Sequence, residues 1–243
     1  MLRQHHVVLL GELHGTQQAP ALVTALACHA LRAGLPVVVG LEVPRSEQPR
    51  LDTYLASDGS AVARTALLDS PHFWRAQVHD GRSSQAMLGV VESLRRLMRQ
   101  GRPIRLVAID QSAFGDNAVD RDLALAQAVR AQAERSPRAV VIALTGNIHN
   151  MRRFPGPASN LPTSMAMHLA DLPLISLNLD FNGGQAWNCA GDHCGAHLVW
   201  PQPGRRLPWA IRLGAHGAGQ FHDGTVQLGR ASPSPPAAAN PTR

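Results

Sequence analysis

Five short, largely aliphatic runs, the first four broken off by a glycine or an acid, constrain the fold more than any other feature of the chain. They are His6–Glu12, Pro36–Glu42, Ile104–Asp110, Ala139–Thr145 and Leu174–Phe181. Runs that are apolar at nearly every position suit strands covered on both faces. Helical segments separate them. The first helix is expected over Ala19–Ala33, with Pro20 in its first turn and Gly34 stopping it. A short helix is expected at Leu51–Leu55, and another beginning at Ser70-Pro71 and carrying Phe73 and Trp74. Ser84–Gln100 has the clearest pattern: Met87, Val90, Val91, Leu94, Leu97 and Met98 recur at helical spacing, and Arg95, Arg96 and Arg99 hold the other face. Helices over Asn117–Glu134 and Ser164–Leu169 complete the set. Strand and helix in alternation predict an α/β fold with a mainly parallel central sheet and helices on both faces.

Beyond Phe181 the pieces are short and split by Gly and Pro, with Asp223-Gly224 as a hairpin-turn signal. They predict antiparallel additions near the C-terminus. A single domain is expected over 1–230, and residues 231–243, rich in Pro, Ala and Ser, read as a disordered tail.

The 23 basic residues are all Arg, against 17 acids, giving a net charge of +6. They are scattered, with no dense basic stripe interleaved with aromatics, which argues against a nucleic-acid partner. No apolar run approaches the length of a membrane span. No basic segment followed by a long apolar one opens the chain. The expectation is therefore a cytoplasmic protein if the chain is full length, and a periplasmic one if a signal peptide has been removed. Cys28, in an apolar helical stretch, reads as a small buried hydrophobe. Cys189 and Cys194 bracket a Gly-Asp turn in W-N-C-A-G-D-H-C-G. They can form a disulfide, stay as thiols, or bind a metal with His193.

In open parallel sheets, ligands bind beyond the carboxyl ends of the strands. The first run delivers Gly11-Glu12-Leu13-His14 there. The second delivers Glu42 and then Arg45. The third delivers Asp110, and the fourth Gly146-Asn147-Ile148-His149. Each acid has a plainer reading: Asp110 as a helix cap, Glu42 as the ion-pair partner of Arg45. The two G-x-x-H turns shift the balance, because a glycine permits close backbone approach and a histidine three residues on can point back over the sheet edge. Glu12, His14, Glu42 and His149 are the expected catalytic group.

Two His and two Glu suit a divalent metal that acidifies a water, with all four as ligands. They equally suit metal-free hydrolysis with one His as base, oriented by a carboxylate. The larger number of donors favours the metal. Arg82, in H-D-G-R-S-S, is a candidate for gripping an anionic substrate group, with an Asp80–Arg82 surface pair as the alternative. Asp110, Asn147 and Arg45 are further substrate-binding candidates. Arg121-Asp122 reads as a packing or ion-pair element.

G-E-L-H, L-E-V-P-R, D-G-R-S-S-x-A-M and L-T-G-N-I-H together resemble the ChaN-like haem-binding uptake family, within the wider group of erythromycin esterases and Tiki/TraB proteins. The similarity runs from about Val7 to Phe181. It implies a parallel α/β core with the site at the strand ends. Esterase-like members imply His14 as water-activating base, supported by Glu12 or Glu42. Tiki-like members imply a metal-dependent peptidase using His14, His149 and a Glu. ChaN-like members imply haem held by His and Tyr; the chain's only tyrosine is Tyr54, upstream of the D-G-R motif. The expected function is a metal-assisted hydrolase of a small molecule or peptide, with a non-catalytic haem- or iron-binding protein as the alternative.

Overall fold

The computed structural model describes residues 6–111, 121–154, 163–191, 193–199, 210–214 and 221–238. Its elements in chain order are β1 (Val7–Glu12), α1 (Gln18–Arg32), β2 (Val37–Pro44), α2 (Gln48–Ala56), α3 (Ala61–Leu68), α4 (Gln85–Arg99), β3 (Ile104–Asp110), α5 (Arg121–Arg135), β4 (Val140–Gly146), α6 (Met165–His168), β5 (Leu174–Asp180), β6 (Gly184–Ala190), β7 (His193–Val199), β8 (Ala210–Leu213) and β9 (Gly224–Gln227). Two 3-10 turns, Arg45–Glu47 and Asn147–Asn150, follow β2 and β4.

The main sheet has the order β3-β2-β4-β1-β5-β9-β8. All its pairings are parallel except β8 with β9. β6 and β7 form a separate antiparallel hairpin. The fold is thus α/β, with the antiparallel pieces near the C-terminus.

Side-chain alternation along the strands fills a core on each face. Val8 and Leu10 of β1 pack with Val23 and Ala27 of α1 and with Val91 and Leu94 of α4. Val7 and Leu9 face the other way, onto Leu125 and Val129 of α5 and Met165 of α6. Strands buried on both sides are apolar along their length, and β1 and β2 are so up to Glu12 and Glu42 at their carboxyl ends. Ser84 caps α4 by accepting from the Met87 N–H at 3.4 Å. Arg95, expected on the outer face, is buried instead, bonded to Glu92 and to the Ser57 carbonyl.

Several expectations need correction. No helix begins at Ser70-Pro71. The Ser70 hydroxyl donates to Glu47 at 2.6 Å and is not available as a cap. Only turns follow, and they seat Trp74 and Phe73 edge to face in the core. The helix nearby is α3, capped by Ser60. Asp223-Gly224 is no two-residue hairpin loop: Leu213 pairs with Gly224, so the connection spans 214–223. Asp223 instead bonds Ser176 through its backbone and carboxylate. The first residues of the expected helix from Asn117 lie outside the described residues, and α5 is described from Arg121.

Residues 231–238 are not a disordered tail. Ala231 donates to the Gly183 carbonyl, Ser234 to Gly15 and Ala237 to Ser83. Ser234 is buried. The low-complexity composition hides backbone pairing that needs no apolar side chains. Residues 239–243 lie outside the described residues. Cys28 is half-buried rather than buried. Cys189 and Cys194, directly opposite each other in the β6–β7 ladder, are joined as a disulfide.

Candidate active site

β3, β2, β4 and β1 are consecutive neighbours, so their carboxyl ends set Asp110, Glu42, the Gly146–His149 turn, and Glu12 with His14 side by side. An extra residue in β2 between Leu41 and Pro44 breaks the ladder with β3 at Glu42.

The two G-x-x-H turns interlock. A Cβ on Gly11 would stand 2.9 Å from the Cα of Asn147 in the second turn. A Cβ on Gly146 would stand 3.1 Å from His14 Nε2 and 3.5 Å from a carbon of the His149 ring. Each glycine therefore makes room for the other turn, and both imidazoles converge on Gly146. Neither glycine has a positive φ, so close approach rather than a tight turn is the reason for them. Gly15, directly after His14, does have one, at 77°. Its carbonyl accepts from Trp187 N at 2.9 Å and Ser234 N at 2.8 Å, so the β6–β7 hairpin and the C-terminal segment both hold the His14 turn.

His14 lies between two carboxylates. Its Nδ1 is 3.0 Å from Glu12 Oε1 and its Nε2 is 3.6 Å from Glu42 Oε2. Burial favours the neutral ring, but Glu42 and Glu12 outweigh it and lift the His14 pKa to about 9. Glu42 is buried too, which would raise it. His14, Arg82, Arg121 and His149 prevail and hold it at about 2. Burial pushes Glu12 up, against its bond to His14. Its Oε2 is buried without a hydrogen-bond partner, as suits a carboxyl that resists ionisation.

Two arginines organise the rest. Arg82 donates from Nε to Asp80 at 2.8 Å, and from Nη1 to Asp110 at 2.9 Å and Glu42 at 3.3 Å. Arg121, the first residue of α5, forks onto Asp110 at 2.8 and 2.7 Å and reaches Glu42 at 2.6 Å. Its Nη1 lies 3.1 Å from His149 Nε2. A guanidinium only donates, so Nε2 accepts and the ring proton sits on Nδ1, 2.9 Å from Asp122 Oδ1. Asp122 also accepts from the Met165 N–H that opens α6, which fixes its carboxylate. Leu13, Ile148 and Val78, on the loops bearing these groups, are 37%, 55% and 65% exposed.

Glu12, His14, Glu42, Asp110, His149 and Arg82 are thus brought together. Arg45 is not. It is exposed and donates to the Ala124 carbonyl at 2.6 Å rather than pairing with Glu42. Asn147 is exposed and serves through its backbone, which packs on Gly11 and accepts from His222 at 3.0 Å. Arg82 does not stand ready for an anion, because three carboxylates already engage it. Sequence reasoning read Arg121-Asp122 as a packing or ion-pair element, which the ion pairs bear out, but did not place the two at this edge. The available signal was position: the first turn of a helix that follows a strand sits at the carboxyl edge.

The donor set does not fit a divalent metal. The cationic place between Glu42 and Asp110 is filled by two guanidinium groups, and both oxygens of each carboxylate already accept hydrogen bonds. Both nitrogens of His149 are also engaged. Among the described residues, no three His, Cys, Asp or Glu side chains are arranged to hold a metal. Haem ligation by tyrosine fails too, since Tyr54 is buried on α2 and donates to Glu92 at 2.9 Å.

No family model and no curated protein matches the sequence. Solved structures do. A mutant of the erythromycin esterase EreC in its open conformation superposes with a TM-score of 0.66 at 13% identity, covering 98% of this chain and 94% of its own. A Bacillus cereus protein gives 0.67 at 12% identity, covering 96% and 90%. ChaN of Campylobacter jejuni, which binds haem cofacially, gives 0.48 at 14% identity, covering 74% and 83%. With its interlocked G-x-x-H turns at the carboxyl edge of a parallel sheet, the chain has the fold of erythromycin esterase.

Proposed function

We propose that the chain is a metal-independent hydrolase of a small acyl compound, with His14 as the base that activates water. The observation that carries this reading is the seat of His14. Glu12 fixes Nδ1, and the side chain keeps 21% exposure, through which water reaches it. The Glu42 carboxylate stands ready to stabilise the imidazolium. The likeness of the fold to that of an erythromycin esterase supports the reading.

In the reaction, His14 Nε2 takes a proton from water as the water oxygen bonds to the carbonyl carbon. The charge that develops on the carbonyl oxygen faces Arg121, whose side chain is 39% exposed and already oriented by Asp110 and Glu42. Collapse breaks the bond to the leaving group, which recovers the proton from His14. Leu13, Val78 and Ile148 suit a substrate with an apolar body beside the scissile bond.

The test is a panel of small esters, lactones and amides, each followed with and without a chelator. The expected result is turnover of an apolar acyl compound that the chelator leaves unchanged and that His14→Asn lowers at least a hundredfold. Full activity in His14→Asn overturns the reading.

A further inference from the structure

A cavity opens at the opposite, amino edge of the sheet. It lies between the starts of β2 and β3 and the turn from α5 to β4, with a volume of about 410 Å³. Val37 and Glu42 are close to the two ends of β2. At about 3.3 Å per residue the cavity stands roughly 16 Å from the carboxyl-edge cluster. Four arginines line it: Arg102, Arg105, Arg135 and Arg138. Among the described residues, no Asp or Glu does. The nearest acid along the chain, Glu134, interacts with Arg130 instead.

All four arginines are exposed, and two are pre-positioned. Arg102 donates through one Nη to the Leu31 carbonyl at 3.1 Å. Arg105 donates through one Nη to Ser136 at 3.0 Å and Gln132 at 3.4 Å. Each bond uses a single nitrogen and leaves the rest of the fork open. Arg135 and Arg138 make no side-chain hydrogen bond or ion pair among the described residues. At the carboxyl edge, by contrast, Arg82 and Arg121 are each matched by carboxylates. Four like charges converging without a counter-charge repel one another, and a bound anion relieves that repulsion.

We propose that this arginine-lined cavity binds a polyphosphorylated small molecule of mononucleotide size. Guanidinium forks match phosphate oxygens in pairs, which a single ammonium cannot do. A volume of this order admits a mononucleotide but not a folded partner. Pro36, Pro103 and Pro137 supply apolar wall beside the charges, which suits a ligand with an organic part.

The test is calorimetric titration of the full chain at low ionic strength with inorganic tripolyphosphate and, separately, with ATP. The double variant Arg135→Glu/Arg138→Glu is titrated alongside. Saturable one-site binding of both is expected, tighter for ATP, and weakened at least tenfold in the double variant. The double variant should keep wild-type stability and, wherever turnover by the carboxyl edge is measured, wild-type rates. Binding of tripolyphosphate but not of ATP overturns the nucleotide-sized organic ligand. Absence of binding by both, or binding that the double variant leaves unchanged, overturns the site, and neither result bears on catalysis by His14.

Discussion

His14 Nε2 lies 3.6 Å from Glu42 Oε2, and that oxygen also accepts the Gly146 N–H at 2.7 Å. The carboxylate thus ties the first turn to the second and keeps the imidazole charged. His14 is raised from 6.5 to about 9, so its contribution to stability is complete below pH 6.5 and is lost as the pH rises through 9. Glu42 is lowered from 4.5 to about 2, so its contribution is present above pH 4.5 and is lost as the pH falls through 2. Denaturant midpoints measured from pH 2 to 10 should peak between 4.5 and 6.5. His14→Asn should flatten the alkaline limb, and an alkaline limb unchanged by that substitution would contradict the assignment.

Arg121 compensates two buried carboxylates at once. Arg121→Met leaves Glu42 and Asp110 with Arg82 as their remaining guanidinium partner. Breaking a buried pair costs about 3 to 5 kcal/mol; with the Arg121 side chain 39% exposed, roughly 2 kcal/mol is the expected loss. Arg121→Lys should recover little of it, because an ammonium cannot span Asp110, Glu42 and His149 together. Urea titration of both variants decides this, and a lysine variant as stable as wild type would show that charge alone matters.

The interlocked glycines predict different outcomes for similar substitutions. In Gly146→Ala the new methyl meets the His14 ring at 3.1 Å, and a side chain can shift. Activity should fall at least tenfold with a stability loss of about 1 kcal/mol or less. In Gly11→Ala it meets the Asn147 Cα at 2.9 Å, so backbone must move, and overpacking of this kind costs about 1 to 3 kcal/mol. Equal effects on stability would contradict the interlock.

The disulfide closes a short loop at the tip of the β6–β7 hairpin, where Cys189 Sγ touches the His79 carbonyl at 3.4 Å. Chain entropy for a loop this short gives about 2 kcal/mol. Cys189→Ser/Cys194→Ser should lose up to that amount and raise exchange of the Trp187 amide, which donates to the Gly15 carbonyl. Exchange there unchanged from wild type would mean that the hairpin holds its place without the bridge.

The parallel sheet was legible because strands buried on both faces leave an unbroken apolar run, and β3 matches its expected span at both ends. The meeting of these groups at one sheet edge was legible because strand-end acids and G-x-x-H turns have little packing reason to recur on four strands. The arginine network was not. Arg121 and Asp122 act through contacts 11 to 79 residues away in sequence, and a helical Arg-Asp pair does not show which carboxylates or histidines it will meet. The tail was misread because backbone bonds to Gly15, Ser83 and Gly183 carry no composition signal. The scatter of Arg along the chain likewise concealed the convergence of four of them on one cavity.

The pH dependence of kcat/KM on an ester substrate, in the presence of a chelator, bears most directly on His14 as the base. The ring must be neutral to take a proton and is held charged up to about pH 9. The rate should therefore climb about tenfold per pH unit from 6 and level off near 9. Glu42→Gln should move the plateau to lower pH by removing the main charge that raises His14. A profile flat from pH 6 to 9, or one whose limb stays in place in Glu42→Gln, would contradict His14 as the base.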